Sequence, residues 1–405
     1  MATNTTTALD AALKTYYKGG KLVQMAYKKH PFLALVNKNK KFVGRDIPIV
    51  PWYANTAGRS RTFAIAQENA TAEETVCFSL RRKKDYGVAY CETEALLATA
   101  DDDGSFLKIG TDAVEGTNRV VSRNLAMSLY RNSGGARGQI AVGGISGTAL
   151  TLANPGDIVN FEKNMQVVHG QTDGTSGALE AESAVTITAV DRQAGIIYAA
   201  AWTGFDAGNY LFAEGDFGAA FNGLQSWIPT TVASNDSFLG VNRFSDSRLR
   251  GLYLDAATAG YDYVEAFEVA DAMLAREGGS PDIVLINPLD YRRMKTQLGA
   301  QVEYDFVGSP DMASISFKAL VMPSAGGGGQ LKFVSDPDCP EKEAFMIESD
   351  SWTLFTLGDF PRGIEGNGFK FITQASADGV EIRVGGYGNL ACWAPDKNAR
   401  IKLRS

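Results

Sequence analysis

Residues 101–132 read DDDGSFLKIGTDAVEGTNRVVSRNLAMSLYRN, and this stretch decides the fold. Asp101, Asp102 and Asp103, followed by Gly104 and Ser105, put negative charge and a capping residue where a helix would begin. Downstream, Phe106, Ile109, Ala113, Thr117, Val120, Leu125 and Leu129 recur at intervals of three to five residues, the period of one helical face. Arg119, Arg123 and Arg131 fall in the second half, where cations suit the helix dipole, and Ser133-Gly134-Gly135 stops the run. Such a helix, over 103–132, would extend about 40 Å at 1.5 Å per residue, against the usual length of about 11 or 12 residues. Periodicity alone suits the long core helix of an enzyme equally well, so the flanking sequence has to separate the readings.

The chain has 405 residues, too many for one compact core, and should divide into about two or three domains. Its 45% hydrophobic and 21% charged residues are those of an ordinary folded protein. A net charge of −7 argues against a protein whose main work is gripping nucleic acid. There is no run of 18 apolar residues, so no membrane partner is expected. The start, Met1 to Thr7, lacks the basic and apolar regions of a signal peptide, which points to synthesis in the cytoplasm.

Catalytic chemistry is sparse. Cys77, Cys91, Cys339 and Cys392 are scattered with no CxxC pair, and the histidines are His30 and His169 alone. Neither set makes a metal centre, and no GxSxG elbow supports a serine nucleophile. Gly326 to Gly329 lacks the Lys-Ser/Thr of a phosphate loop and reads as a flexible connection. No catalytic residue, metal or cofactor is expected.

Working outward, residues 8–37 carry two short apolar stripes broken by Gly19-Gly20, and eight lysines between Lys14 and Lys41 make 1–41 a basic arm. Residues 42–53 alternate as a strand, but Pro48 and Pro51 bar it from the middle of a sheet. A second strand-like run covers Val76 to Leu80 and resumes, after Arg81-Arg82-Lys83-Lys84, at Tyr86 to Tyr90. With the polar tip Ala54 to Thr75 this makes 42–93 a two-stranded ribbon, which is barely stable alone. The expectation is that Ile47, Ile49, Trp52, Phe78 and Leu80 are buried by another subunit.

Beyond the helix, 139–216 reads as an inserted all-β module: Ala149–Leu152, Gln166–Val168, the hairpin Val185–Val190 with Ile196–Tyr198, and Tyr210–Phe212. It is acidic, with eight Asp or Glu from Asp157 to Glu214 against Lys163 and Arg192. An α/β pattern resumes with Tyr263–Glu277, the strand Asp282–Ile286 and a helix capped by Asn287 and opened by Pro288. The remainder is β: 331–334, 344–347, 352–355, 369–372 and 380–384.

This order of parts resembles the major capsid proteins of tailed bacteriophages, which share the Johnson fold. The tail Gly386-Tyr387-Gly388-Asn389-Leu390 with Pro395 to Ile401 is similar to the C-terminal segment of that family. The resemblance implies an α+β fold divided as an N-terminal arm 1–41, an extended loop 42–93, a peripheral domain 94–132 and 320–405 with a spine helix, an axial domain 133–138 and 217–319, and the inserted module 139–216. It implies a structural protein of the virion, whose copies form hexamers and pentamers of an icosahedral shell around packaged double-stranded DNA. The implied partners are other copies of the chain, a separate scaffolding protein, a portal protein, a decoration protein and DNA touched without regard to sequence. Candidate intersubunit residues are Arg45, Trp52, Arg59, Arg61, Arg81, Arg82, Lys83 and Lys84, with Asp101, Asp102 and Asp103 as acidic counterparts. Other readings compete: an encapsulin-like compartment of the same fold, a cytosolic α/β enzyme using the strand end Asp282 to Asp290, and a virion decoration or tail protein, for which the long spine helix is a poor match.

Overall fold

A computed structural model describes residues 30–94, 109–180, 183–298, 304–306, 318–325, 329–363, 372–373 and 378–404. Outside these residues lie most of the basic arm, Asp101 to Asp103, Gly326 to Gly328, and the 369–371 part of an expected strand.

The spine helix is present as Ile109–Ser128. It lies on the sheet formed by Lys83–Glu92 and the long strand Gly379–Cys392, which pair antiparallel from Gly379↔Glu92 to Gly388↔Lys83. Val121 of the helix packs there on Cys91, Ile382 and Val384. Gly87 permits this approach, since a Cβ would sit 2.7 Å from Thr117 Cγ2 and 2.8 Å from Val121 Cγ2. Strand Trp352–Thr356 pairs with the far end of the long strand, and Asn37–Asn39 adds on in parallel.

A second, seven-stranded sheet has the order 252–255, 399–402, 343–347, 283–286, 330–335, 318–323, 304–306. One face carries the amphipathic helix Tyr263–Arg276, which buries Ala266, Phe267, Ala270 and Leu274. The opposite face, with Ile283, Leu285, Phe345 and Ile347, joins Leu125, Leu129 and Tyr130 of the spine region and Trp352 and Leu390 of the first sheet in one large core. Of 320–405, expected in one peripheral domain with the spine helix, Gln330–Ser335, Glu343–Ile347 and Ala399–Lys402 are strands of the second sheet. Ala344 to Ile347 is a continuous apolar run and Ala399–Lys402 alternates, but neither pattern says which neighbour a strand pairs with.

Between the spine and this sheet the chain makes a closed six-stranded barrel, ordered 185–191, 196–199, 149–152, 138–146, 210–213, 166–170 and sealed by Val185↔Val167. Closure removes the exposed edges that such short strands would otherwise present. The barrel has its own core of Ile140, Leu150, Phe161, Ile187, Ile197, Trp202 and Leu211.

The ribbon differs most from expectation. Asp46–Ile49 pairs with Phe78–Arg81 and Trp52–Ala54 with Glu74–Thr75, but Lys83–Glu92 belongs to the spine's sheet and not to the ribbon. Ile49, Phe78 and Leu80 are fully buried in the large core of their own chain, so burial by a neighbour is corrected for these three. The spacing of two in Ile47 and Ile49, and in Phe78 and Leu80, shows a covered face without showing whose surface covers it. Phe32, near the end of the basic arm, and Phe42, which opens the extended loop, are buried in the same core.

Candidate interaction surfaces

The ribbon's base is fixed from three sides. Phe78 meets Trp227 and Phe238 edge to face, with centroids 5.3 and 6.2 Å apart. Ser79 N–H donates to the Leu239 carbonyl at 2.9 Å, and the Arg248 guanidinium donates to the Tyr53 carbonyl. Past this anchor the ribbon presents apolar side chains that its own chain leaves open. Trp52 is 59% exposed, Val50 51%, Phe63 82% and Ile65 48%. Phe63 and Ile65 lie on a short helix, Phe63–Glu68, in the polar, Ala/Thr-rich tip expected to have no apolar face to bury. The signal was the Phe63-Ala64-Ile65 triplet, outweighed by the surrounding Ala, Thr and charge. Single exposed apolar groups need no explanation, whereas several on one ribbon make it a candidate interaction surface.

The expected contact residues divide into two groups. Arg45, Arg59, Arg61 and Lys84 are exposed, and Arg81 is exposed with Asp46 Oδ1 at 3.7 Å. Arg82 and Lys83 are used within the subunit. The Arg82 guanidinium lies 5.5 Å over the Phe42 ring, and Lys83 Nζ donates to the Gly218 carbonyl at 3.0 Å. Burial lowers the Lys83 pKa, as desolvation disfavours an ammonium. Asp101, Asp102 and Asp103 lie outside the described residues.

A second surface, not foreseen, is internal. The acids of the barrel meet polar groups on and after the spine: Asp157 pairs with Arg131, Glu162 with Arg123, and Asn132 donates to Asp173 at 2.6 Å, while Arg192 of the barrel itself joins Glu162 at 2.7 Å. Arg137 donates to Asp216 at 2.9 Å. Burial disfavours the Arg131 charge, but the Asp157 carboxylate outweighs it and holds the pKa above the ordinary arginine value. Arg123 and Arg131, read from sequence as helix-dipole partners, thus serve as docking points for the barrel, whereas Arg119 bonds Glu115 one turn back on the helix at 2.8 Å. The acidity of 139–216 and the basic end of the helix were both visible; only folding shows that they are complementary.

The residues of the enzyme reading are committed to structure. Asp290 is fully buried and accepts from Tyr263 Oη at 3.0 Å, Arg293 at 2.7 Å and Lys342 N–H at 2.6 Å. Burial, with Asp290 beside it, pushes the Tyr263 hydroxyl up to about 12. Asp282 accepts from the Ser349 N–H and hydroxyl, both at 2.7 Å. His169 is buried against Asn209 at 3.0 Å and the Phe205 ring. Cys91, Cys339 and Cys392 are buried and Cys77 is exposed; burial pushes the Cys339 thiol up, away from the thiolate that reactivity needs. Among the described residues no group of three His, Cys, Asp or Glu is placed to hold a metal, and no helix is long and apolar enough to cross a membrane.

No protein-family model matches the chain, and no curated protein does. Among solved structures, a chain of the cyanophage A-1(L) capsid asymmetric unit aligns over 100% of this chain and 99% of its own, at TM-score 0.56 and 14% identity. The holo-SrpI encapsulin complex of Synechococcus elongatus PCC 7942 aligns over 99% and 96%, at TM-score 0.48 and 10% identity. The capsid of a native GTA particle aligns over 100% of both chains, at TM-score 0.48 and 10% identity. The cyanophage likeness shows that the chain has the α+β phage major-capsid fold.

Proposed function

We propose that this chain is the subunit of an icosahedral capsid, in which hexamers and pentamers enclose packaged double-stranded DNA. The observation that carries the reading is the ribbon: its base is buried in its own subunit, while Trp52, Phe63 and Ile65 stand exposed farther out. On a capsid fold, such an arm is a means of gripping the next copy. Covering each of these side chains would contribute roughly 1.5–3 kcal/mol before ordering costs, and a closed shell repeats the contact in every subunit. Arg45, Arg59, Arg61, Arg81 and Lys84 surround or flank this arm and supply charge for acidic groups on the neighbour. A separate scaffolding protein directs assembly, a portal protein occupies one vertex, and the DNA is touched without sequence preference. The particle is the place of function, after synthesis in the host cytoplasm.

The test is sedimentation and electron microscopy of the purified full-length protein, alone and with a candidate scaffolding protein encoded beside it. Megadalton shells that become uniform in size with the partner support the capsid. Uniform closed shells formed by this chain alone favour the compartment reading, and a species that stays at the mass of one or a few subunits under both conditions overturns shell formation.

A further inference from the structure

The loop 357–361 gathers cations from separate parts of the chain. On one side, Gly358 N–H donates to the Lys40 carbonyl at 3.1 Å and Leu357 bridges Lys41. On the other, Leu357 N–H donates to the Tyr387 carbonyl at 2.9 Å, and Arg362, just past the loop, pairs with Gly385 of the same strand. Lys38, in the middle of the exposed edge strand Asn37–Asn39, stands two residues before Lys40. Arg82 lies over the ring of Phe42, whose N–H donates to the Thr356 carbonyl at 3.1 Å just before the loop.

One carboxylate answers these cations. Asp359 Oδ1 meets Lys40 Nζ at 2.5 Å, and Lys40 foremost, with Arg362 adding its charge, holds the Asp359 carboxyl below the usual range. Among the described residues, Lys38, Lys41 and Arg362 have no carboxylate within ion-pair distance. Desolvation, and then the Lys40 charge, lower the Lys38 pKa, as crowding of like charges does. The whole chain carries −7, so this is a local reversal of sign, balanced in the free subunit by dissolved counterions. A lysine on an edge strand guards it against unwanted pairing. That role accounts for Lys38 but not for Lys40, Lys41 and Arg362, which lie outside the strand.

We propose that the Lys38–Lys40–Lys41–Arg362 patch is the surface by which the subunit touches packaged DNA, gripping phosphates without regard to sequence.

The inference rests on the capsid reading, which presents the same line of negative charge to every subunit. Lys38 and Lys40, two residues apart on extended backbone, stand roughly 6.6 Å apart. A duplex carries one charge per about 1.7 Å of its axis, so these two with Lys41 and Arg362 beside them meet several phosphates at once. Compact ammonium heads on flexible stems suit such uniform charge, whereas the fixed carboxylates of a protein neighbour favour the planar fork of arginine. Lys84, opposite Tyr387 in the adjacent strand, adds to the same field. Each contact releases condensed counterions, so the grip is steeply salt-dependent.

Fluorescence anisotropy tests this, with labelled duplexes of two unrelated sequences and the unassembled full-length protein between about 50 and 200 mM salt. Both duplexes should bind alike. Lys38→Gln with Lys41→Gln and Arg362→Gln should reduce the slope of log affinity against log salt by about 2–3, since each phosphate contact contributes about 0.9. Arg59→Gln with Arg61→Gln, on the ribbon tip, should leave the slope unchanged. Should the triple variant fail to fold, Lys41→Gln alone, at an exposed position, decides: a slope reduced by about 1 supports the patch, and an unchanged slope overturns it. No binding by the natural protein, an unchanged slope in the triple variant, or an equal loss in the tip variant would overturn the proposal. So would a triple variant that binds DNA normally but no longer assembles, which would make the patch a contact with an acidic neighbour. Sedimentation of the same proteins under assembly conditions follows shell formation separately, so a failure of this inference is distinct from a failure of the capsid reading.

Discussion

The ring of Phe78 meets the indole of Trp227 edge to face at 5.3 Å, and this contact ties the extended ribbon to its own subunit. Trp227 is itself held, donating from Nε1 to the Leu390 carbonyl at 3.1 Å, so the ribbon is anchored to a tryptophan that is anchored to the spine's sheet. Phe78→Ala should therefore lower the stability of the isolated subunit by about 3–5 kcal/mol, the range for emptying a buried phenylalanine site. Chemical denaturation of the unassembled protein measures it; a change under 1 kcal/mol would mean that the ribbon base is not core.

The closeness of spine and sheet gives a second expectation. A methyl group at position 87 would overlap Thr117 Cγ2 and Val121 Cγ2, and overpacking of this kind costs typically about 1–3 kcal/mol. Gly87→Ala should lower the thermal midpoint, and the double variant Gly87→Ala with Val121→Ala should recover much of the loss. Equal midpoints for Gly87→Ala and the natural protein would show that the helix can ride outward freely.

Excision of the barrel tests how separable it is. Its own closed core argues that the rest of the chain can fold when residues 141–214 are replaced by a short Gly/Ser linker. Excision also removes Asp157 and Glu162, the partners of Arg131 and Arg123, together with barrel surface beside them. Loss of these docking pairs should leave the excised protein folded with a lowered thermal midpoint. Circular dichroism and calorimetry distinguish this from wholesale insolubility, which would show that the barrel is part of the main core.

The sequence made the periodic elements legible and left their partners hidden. Ile109–Ser128, Tyr263–Arg276 and the Asn287 cap, whose Oδ1 accepts from Leu289 N–H at 3.0 Å, all follow from spacing and capping chemistry. The barrel strands follow from alternating short runs between Gly, Asn and Asp. Pairing is a long-range property, and nothing local to Phe78-Ser79-Leu80 distinguishes a neighbour's surface from Trp227 in the same chain. The division between Arg82-Lys83 and Arg81 with Lys84 is equally non-local, since it depends on where Phe42 and Gly218 arrive. Phe63 and Ile65 were legible as residues, but a helix of six gives too little periodicity to announce a face.

The outer ribbon separates subunit stability from assembly, and it gives the most direct test of the capsid reading. Phe63 is 82% exposed and Ile65 48%, so Phe63→Ser with Ile65→Ser should change the denaturation of the unassembled subunit by about 1 kcal/mol at most, near the range of other surface substitutions. The same double variant should fail to form closed particles, because each subunit loses its apolar grip on the next. Arg59→Glu with Arg61→Glu, on the same tip, should weaken assembly most at low salt, where exposed charges are least screened. Hydrogen exchange adds a spatial readout. Strands 46–49 and 78–81 should be protected in free subunit and particle alike, whereas amides of 59–69 should gain protection only in the particle. Normal particles from the Phe63 and Ile65 variant, together with unchanged exchange at 59–69, would show that the tip is not an intersubunit element, and the ribbon would no longer support the capsid reading.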